Sequence, residues 1–499
     1  MGAIENTVAG TAMPTVIGSL GGIEYYSWVF SAYILAATVM TPIWGKMADV
    51  LGRRPAFIGG LSCFIVGSAL AGASHSMSQL IAFRVVQGLG AAALFPIGMT
   101  IASDLLTLEQ RAKIIGLFSG MWGVASLIGP LVGGYLATYL SWRWVFYLSL
   151  PFGIAAGVIV RATYQEKYQR KKDIKVDYPG TIVLALSLTL LLISFQGTGI
   201  SPVIFAATAG GAALLGGLFI YIELKSPDPL IPLDIFRNRM VHLASIHGFF
   251  ASMTLLGTLN FLPLFVQSVK GTDAIAAGRI LMPYVLPWVV AATMGGRLVL
   301  RIGYRRVVLV GMAFMIVGAF FMSRLSPADT ILSMSFYVAF LGIGGGFTMA
   351  SLMIAAQHAV KGTQLGVTTS LVLFCRSIGA AFGVAVMGAL MNWRLGTLIA
   401  SGPPGVQARG HNLASTVLPQ TRQGMSYEEI HFLQSAFAGS LRLAFSAVFV
   451  ASLLALVAAI LLPSGSVEDL AYSERIDLVG VDGEPGDSRK MEVSSHEII

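Results

Sequence analysis

Two arginines stand inside long apolar segments, where a charge is costly. Arg84 lies about five residues into segment 79–102, and Arg376 lies about twelve residues into segment 364–389. Such an arginine usually faces the interior of a helix bundle or a water-filled cavity, although Arg84 could instead extend toward a nearby interface. A fixed positive charge there can assist proton exchange at a carboxylate. For Arg376 three roles stay open: neutralising Glu5, binding an anionic group, or bonding to backbone carbonyls.

Glu5 is the candidate carboxylate, and it lies in the first apolar segment. A buried carboxylate can load a proton from the acidic side and release it when a cation or a water path arrives. Glu5 follows Met1 by only four residues, so the alternative is a solvent-exposed side chain at a frayed helix end. We expect the natural chain to begin upstream of Met1. The start shows no basic region or cleavage site of a signal peptide.

The turn between the second and third apolar segments is charged and rich in glycine, with Gly45, Asp49, Gly52, Arg53 and Arg54. Glycines let such a turn close tightly. The aspartate can accept hydrogen bonds from the N–H groups of a neighbouring helix terminus, and the arginines can bind carboxylates or lipid phosphates. These residues form a candidate cytoplasmic gate; the alternative is a topology anchor.

A similar turn occurs in the second part of the chain. Gly296, Gly303 and Arg305 repeat its glycine spacing and basic ending, and Leu300 stands where the first copy has Asp49. Duplicated halves around a central site are a common plan of membrane transporters. The repeat predicts two six-span halves with unequal gates.

The elements that must position these residues are membrane-spanning helices. Hydrophobic residues make up 55% of the chain and charged residues 11%, and mean hydropathy is +0.77. An apolar run of about 20 residues spans the hydrocarbon core as a helix. The fold class is therefore an all-α integral membrane bundle. The predicted spans are 3–20, 26–44, 56–74, 79–102, 113–137, 144–162, 179–196, 203–222, 242–265, 276–299, 307–323, 331–356, 364–389 and 439–462.

These fourteen spans divide into units. Residues 1–165 form an N-terminal six-helix half, 166–240 an inserted helix pair with cytoplasmic linkers, and 241–463 a C-terminal six-helix half. The second half contains an extracytoplasmic loop at 391–438, and an acidic cytoplasmic tail fills 464–499.

Lysine and arginine collect in every second connecting loop, which places those loops on the cytoplasmic side. This distribution predicts a protein of the cell membrane whose N and C termini are both cytoplasmic. The net charge of +8 is explained by anionic lipid headgroups, so no nucleic-acid partner is expected. Both cysteines, Cys63 and Cys375, fall inside predicted spans, which argues against a structural disulfide, and two cysteines cannot form a metal cluster. We expect no cofactor, no catalytic or metal site, and a functional monomer. The absence of a P-loop argues against ATP-driven transport.

Five motifs in order resemble the major facilitator superfamily, and within it the 14-span drug:proton antiporter branch. They lie at Gly45 to Arg54, Arg84 to Gly90, Gly123 to Gly134, Trp142 to Gly153, and Pro229 to Arg237.

The resemblance implies an antiporter. It assigns proton coupling to Glu5 and Arg84, and Arg376 is a third candidate for this role. The fifth-span motif would govern how the halves meet and limit proton leak, although pure helix packing explains its glycine spacing equally well. That motif contains Gly123, Gly129, Pro130, Gly133 and Gly134.

The predicted function is export of amphipathic or cationic small molecules in exchange for protons. An exporter or facilitator of one specific metabolite, such as a siderophore or sugar derivative, is the alternative, and a membrane enzyme or channel is remote. Aromatic linings suit apolar or cationic ligands. Candidate cavity residues are Trp28, Tyr33, Asn260, Phe261 and Gln267.

Overall fold

The structure of the protein is a computed structural model. It describes residues 2–105, 124–125, 128–165, 177–195, 202–226, 229, 233–360, 364–408 and 425–463. Within these ranges the regular structure is entirely helical, as the apolar segments predict. Helices suit a membrane because each satisfies its own backbone hydrogen bonds.

The helices are numbered in chain order, and two short 3₁₀ helices, Ile23–Tyr25 and Leu233–Arg237, precede α2 and α10. Their bounds are α1 Gly2–Leu20, α2 Tyr26–Leu51, α3 Arg53–Gly72, α4 Met77–Leu105, α5 Ile128–Leu140, α6 Trp144–Tyr147, α7 Ser149–Thr163, α8 Tyr178–Ser194, α9 Pro202–Lys225, α10 Arg239–Ser268, α11 Ala274–Ile302, α12 Tyr304–Ser323, α13 Ile331–His358, α14 Leu365–Ala400, α15 Pro404–Ala408 and α16 Tyr427–Ile460.

Eleven helices of the described chain are long and apolar enough to cross a membrane. Three shorter apolar helices, Thr7–Leu20, Ile128–Leu140 and Pro179–Ser194, lie where the other three spans are predicted. The multi-pass helical architecture is thus confirmed, and the count of fourteen spans stays a prediction.

The predicted loop at 391–438 is wrong in its bounds. Helix α14 continues to Ala400, and α16 already begins at Tyr427 behind a capping box formed by Ser426 and Glu429. Apolar side chains explain the extension, because Leu395 and Leu433 are buried in the same core as the rest of these helices. The acidic tail, 464–499, lies outside the described residues.

The repeat found in the sequence is also a repeat of backbone geometry. Gly52 joins α2 to α3 with φ 100° and ψ 156°, and Gly303 joins α11 to α12 with φ 82° and ψ 153°. This region of conformational space is essentially restricted to glycine. The two helix hairpins of the two halves therefore turn in the same way.

The arginine two residues after each of these glycines makes an equivalent contact. Arg54 Nη2 donates to the carbonyl of Arg161, 2.5 Å away in the last turn of α7. Arg305 Nη2 donates to the carbonyl of Ile460, 2.9 Å away at the end of α16. Each contact satisfies a carbonyl that a helix C-terminus leaves without a partner. We call the end of the bundle that carries these contacts the basic end, and the opposite end the far end.

Replacing Gly52 or Gly303 with alanine should lower the free energy of unfolding by about 1–3 kcal/mol, because a Cβ is disfavoured at these backbone angles. Gly45 is the matched control. It lies inside α2, and no atom lies within 4 Å of the place that a Cβ would take, so alanine there should be neutral or stabilise by about 0.5–1 kcal/mol. Thermal unfolding of the detergent-purified variants measures both effects, and equal stability of the Gly45 and Gly52 variants would contradict the repeat geometry.

Candidate functional site

The most concentrated charge in the described core is an ion pair between α1 and α4. Arg84 Nη1 lies 2.8 Å from Glu5 Oε1, and the two side chains are 0% and 2% exposed. The same Nη1 donates to Gln87 Oε1 at 2.6 Å, and Nε donates to the carbonyl of Val29 at 3.2 Å. Glu5 is therefore buried and paired, and Arg84 does not extend to an interface.

Further polar groups of the first half extend a hydrogen-bond network from this pair. Gln87 Nε2 donates to Ser68 Oγ at 2.6 Å, and Ser68 Oγ lies 3.2 Å from Ser149 Oγ. The guanidinium of Arg84 stacks over the ring of Tyr33, 4.0 Å from its centroid, in cation–π geometry. Five helices, α1, α2, α3, α4 and α7, thus contribute to one polar network.

The sequence builds this network through helical spacing and small residues. Arg84 and Gln87 are three residues apart on α4, so they share one face. Gly67 lets α3 approach that face, since a Cβ there would lie 2.4 Å from the backbone nitrogen of Gln87. In this low-dielectric core the opposite charges attract strongly, and losing one partner would leave the other buried and uncompensated.

Arg376 lies in the other half, on α14, and makes no ion pair with a described carboxylate. The proposed neutralisation of Glu5 by Arg376 is wrong, because Arg84 occupies that role. Arg376 Nη2 instead donates to the carbonyl of Met349 on α13 at 2.7 Å. His247 nearby is fully buried, with Nδ1 3.1 Å from the carbonyl of Ala455.

The gate residues lie at the basic end. Gly45 is exposed and Asp49 is half-buried near the end of α2, and the Asp49 side chain makes no hydrogen bond to another described residue. Arg53 begins α3 beside Arg54, which contacts the end of α7. In the second copy Gly296 lies within α11, where a Cβ would be 3.7 Å from Ile354. Their role as a gate stays a prediction.

The glycine motif on α5 has two packing faces. A Cβ at Gly129 would lie 2.0 Å from Thr7 Oγ1. At Gly133 it would lie 2.3 Å from Thr11 Oγ1, so both residues pack against α1. Gly134 faces the second half instead, where a Cβ would lie 2.6 Å from the carbonyl of Ala274.

Pro130 also meets the second half. Its carbonyl would lie 2.4 Å from a Cβ at Gly278 of α11. The motif therefore joins the two halves at the far end, which spacing alone could not distinguish from packing within one half. Gly123 lies outside the described residues.

The candidate cavity residues separate into two groups. Tyr33 belongs to the ion-pair network, and Trp28 is half-buried on α2. Asn260, Phe261 and Gln267 are buried where the halves meet. Tyr26 donates to the carbonyl of Asn260, and its ring packs at a tilt against that of Phe261 with 5.0 Å between the centroids. Gln267 Nε2 donates to the carbonyl of Thr11 at 3.0 Å. Their contact with substrate stays a prediction.

Sequence reasoning missed the supporting residues Ser68 and Ser149. Serines are frequent throughout the chain, so neither has a local signal. A helical-wheel search for polar residues in α3 and α7 that face away from lipid could have found them.

A double-mutant cycle should show that Glu5 and Arg84 are coupled. Glu5→Gln or Arg84→Met alone should cost about 3–5 kcal/mol in free energy of unfolding, because each leaves a buried group without its partner. The double variant should be less destabilised than the sum by about 1–3 kcal/mol. Glu24→Gln, which alters an exposed carboxylate in the 3₁₀ helix after α1, should change stability by less than about 0.5 kcal/mol. Strict additivity in the cycle would refute the coupling.

Comparisons with known proteins agree with this architecture. The model of the Major Facilitator Superfamily matches residues 1–384. The chain is 37% identical over 401 residues to the Multidrug transporter protein MdtP of Bacillus subtilis (strain 168), covering 80% of this chain and 74% of that one. It is 32% identical over 394 residues to Multidrug resistance protein 3 of the same strain, covering 78% and 77%.

Solved structures confirm the fold. An inward-facing, unoccupied bacterial homologue of the human lysosomal transporter Spinster aligns with a TM-score of 0.65 at 17% identity, over 95% of both chains. An auto-inhibited peptide transporter of the POT family aligns with a TM-score of 0.58 at 16% identity, over 93% of this chain and 97% of that one. The chain therefore belongs to the Major Facilitator Superfamily and is a multi-pass membrane transporter, not an enzyme.

Proposed function

We propose that the protein exports amphipathic or cationic drugs and metabolites from the cell in exchange for protons, by alternating access. The observation that carries this proposal is the buried Glu5–Arg84 pair, with 2.8 Å between its closest atoms. The names of the Bacillus subtilis relatives support drugs as substrates. In the plasma membrane, the basic end would lie on the cytoplasmic side, because lysine and arginine collect in the loops at that end.

The ion pair can couple proton binding to a change of contacts. Protonation of Glu5 removes the negative charge that Arg84 faces, and the guanidinium then depends on Gln87 and the carbonyl of Val29. Burial in a low dielectric makes this change large for a single proton. Because the network reaches five helices, protonation at Glu5 would alter packing across the first half. Arg376 takes no part in this proposed step.

The two halves meet at the far end in this conformation. Ser31 Oγ on α2 donates to the carbonyl of Ala381 on α14 at 3.1 Å, and Asn392 Nδ2 donates to the carbonyl of Glu24 at 2.9 Å. Toward the basic end the same face of α2 reaches Gly45, which is exposed. This arrangement supports an inward-facing state in which the space between the halves opens at the basic end.

The register of these helices supports a proposal for the contact that closes the basic end. Helices α2 and α14 run antiparallel, with Ser31 opposite Ala381. Moving the same number of residues along each helix brings Gly45 opposite Val367, and Asp49 two positions before the start of α14 at Leu365. The N–H groups of a first helical turn lack partners and attract a carboxylate. Asp49 would therefore hold the outward-facing state closed on the cytoplasmic side.

Cross-linking tests this gate. In a protein with Cys63 and Cys375 replaced by serine, the pair Gly45→Cys and Val367→Cys should form a disulfide whenever the basic end closes. Adding Asp49→Asn should slow cross-linking about 2- to 5-fold, the usual strength of a carboxylate at a helix N-terminus.

As a control, a cysteine at Val310, exposed on α12, should not cross-link to position 45. An Asp49→Asn variant that cross-links at the rate of its parent would exclude the gate.

A flux assay tests proton exchange. Proteoliposomes loaded with ethidium should release it faster when the outside is acidified, each pH unit adding about 1.4 kcal/mol of driving force per proton exchanged. A protonophore should abolish the acceleration. Glu5→Gln should lose the response to the gradient, because an amide cannot exchange a proton.

Glu24→Gln serves as the matched control and should respond like the parent. Dye-for-dye counterflow needs no proton exchange, so it distinguishes loss of coupling from loss of folding. Release from parent liposomes that ignores the pH gradient would rule out antiport, and a gradient response in Glu5→Gln would remove Glu5 from the mechanism.

A further inference from the structure

Arg376 is a guanidinium with unused hydrogen-bond donors. It carries five N–H donors; Nη2 contacts the carbonyl of Met349, and the buried Nε has no partner among the described residues. Arg84, the other arginine in the core, is paired with Glu5. A charge at membrane depth pairs with an opposite charge or with backbone carbonyls, and Arg376 has one carbonyl contact. In the described chain, Arg376 makes no ion pair with a carboxylate.

Arg376 lies beside a helix face that is open toward the basic end. Ala381, in the middle of α14, contacts Ser31 of α2, and Ser377 and Ser370 continue that face by one and three turns toward the basic end. Ser377 is half-buried and Ser370 is exposed, and Arg376 itself is half-buried. A molecule entering between the halves from the basic end would therefore meet this guanidinium.

The walls around Arg376 suit a molecule that is partly apolar. Its stem lies on Gly248 of α10, where a Cβ would come within 3.0 Å of Cγ and 3.4 Å of Nε. The next residue, Phe249, is half-buried, and its ring lies 5.7 Å from that of Phe382 on α14. A guanidinium on the same helix as Phe382, packed against the residue before Phe249, suits a molecule that carries a carboxylate on an aromatic body.

We propose that Arg376 forms a subsite for the carboxylate of amphipathic substrates, so that carboxylate-bearing molecules are bound as well as cations. This inference depends on the proposed function only in taking the space between the halves as the route of a small amphipathic molecule. The free donors of the guanidinium would bind the carboxylate, and Phe249 and Phe382 would contact the apolar body.

Equilibrium binding of two related dyes tests the subsite. Rhodamine B has a free carboxylate, and its ethyl ester has the same ring system with the carboxylate masked. Purified protein in nanodiscs of neutral phosphatidylcholine should bind rhodamine B more tightly than the ester. Arg376→Gln should reduce this preference about 10-fold or more, the usual effect of losing a charge-assisted hydrogen bond. Arg376→Lys, which keeps the charge, should retain part of the preference.

Arg394→Gln is the matched control, because Arg394 is an exposed arginine on the same helix. It should preserve the preference. An unchanged preference in a folded Arg376→Gln variant, with thermal stability near that of the parent, would show that Arg376 only braces α13. A parent protein that favours the ester would also overturn the subsite. Binding needs no proton gradient, so failure of antiport in the flux assay is a separate result.

Discussion

A charge inside an apolar bundle must find its partner within the protein, and the Glu5–Arg84 pair meets this constraint across two helices. The pair is surrounded by Gln87, Ser68 and the ring of Tyr33, so the first half has a polar centre in an otherwise apolar interior. Buried polar networks are stable only when their members are satisfied. Packing in this half is thereby linked to the charge of one carboxylate.

Much of the architecture follows from the sequence because the membrane restricts it severely. Long apolar runs must be helices, and the glycine spacing of 45–52 and 296–303 correctly predicts two equivalent turns. The bounds of α14 and α16 could not be predicted, because residues such as Asn392 and Arg394 interrupt the apolar pattern while the helix continues beyond them. Their extension depends on packing between the two helices, which hydropathy does not record.

The candidate site was predictable in its charges but not in its pairing. An arginine inside an apolar segment can be recognised as a candidate functional residue from the sequence alone, and this holds for both Arg84 and Arg376. Which of them meets Glu5 depends on how α1 packs against α4, and that is a property of the tertiary fold. Likewise, the sequence predicts Asn260 and Gln267 as polar residues of the cavity. In the structure their side chains donate hydrogen bonds to backbone carbonyls at or near the contact between the halves.

The antiparallel pair α2 and α14 carries Ser31 and Asp49 on one face, five helical turns apart. If each end closes through that same face, the interactions that break at one end are replaced by new ones at the other. The two conformations would then differ little in total interaction energy, so their populations would be similar. Binding of a single proton, or of one substrate molecule, would then be enough to shift the equilibrium between them.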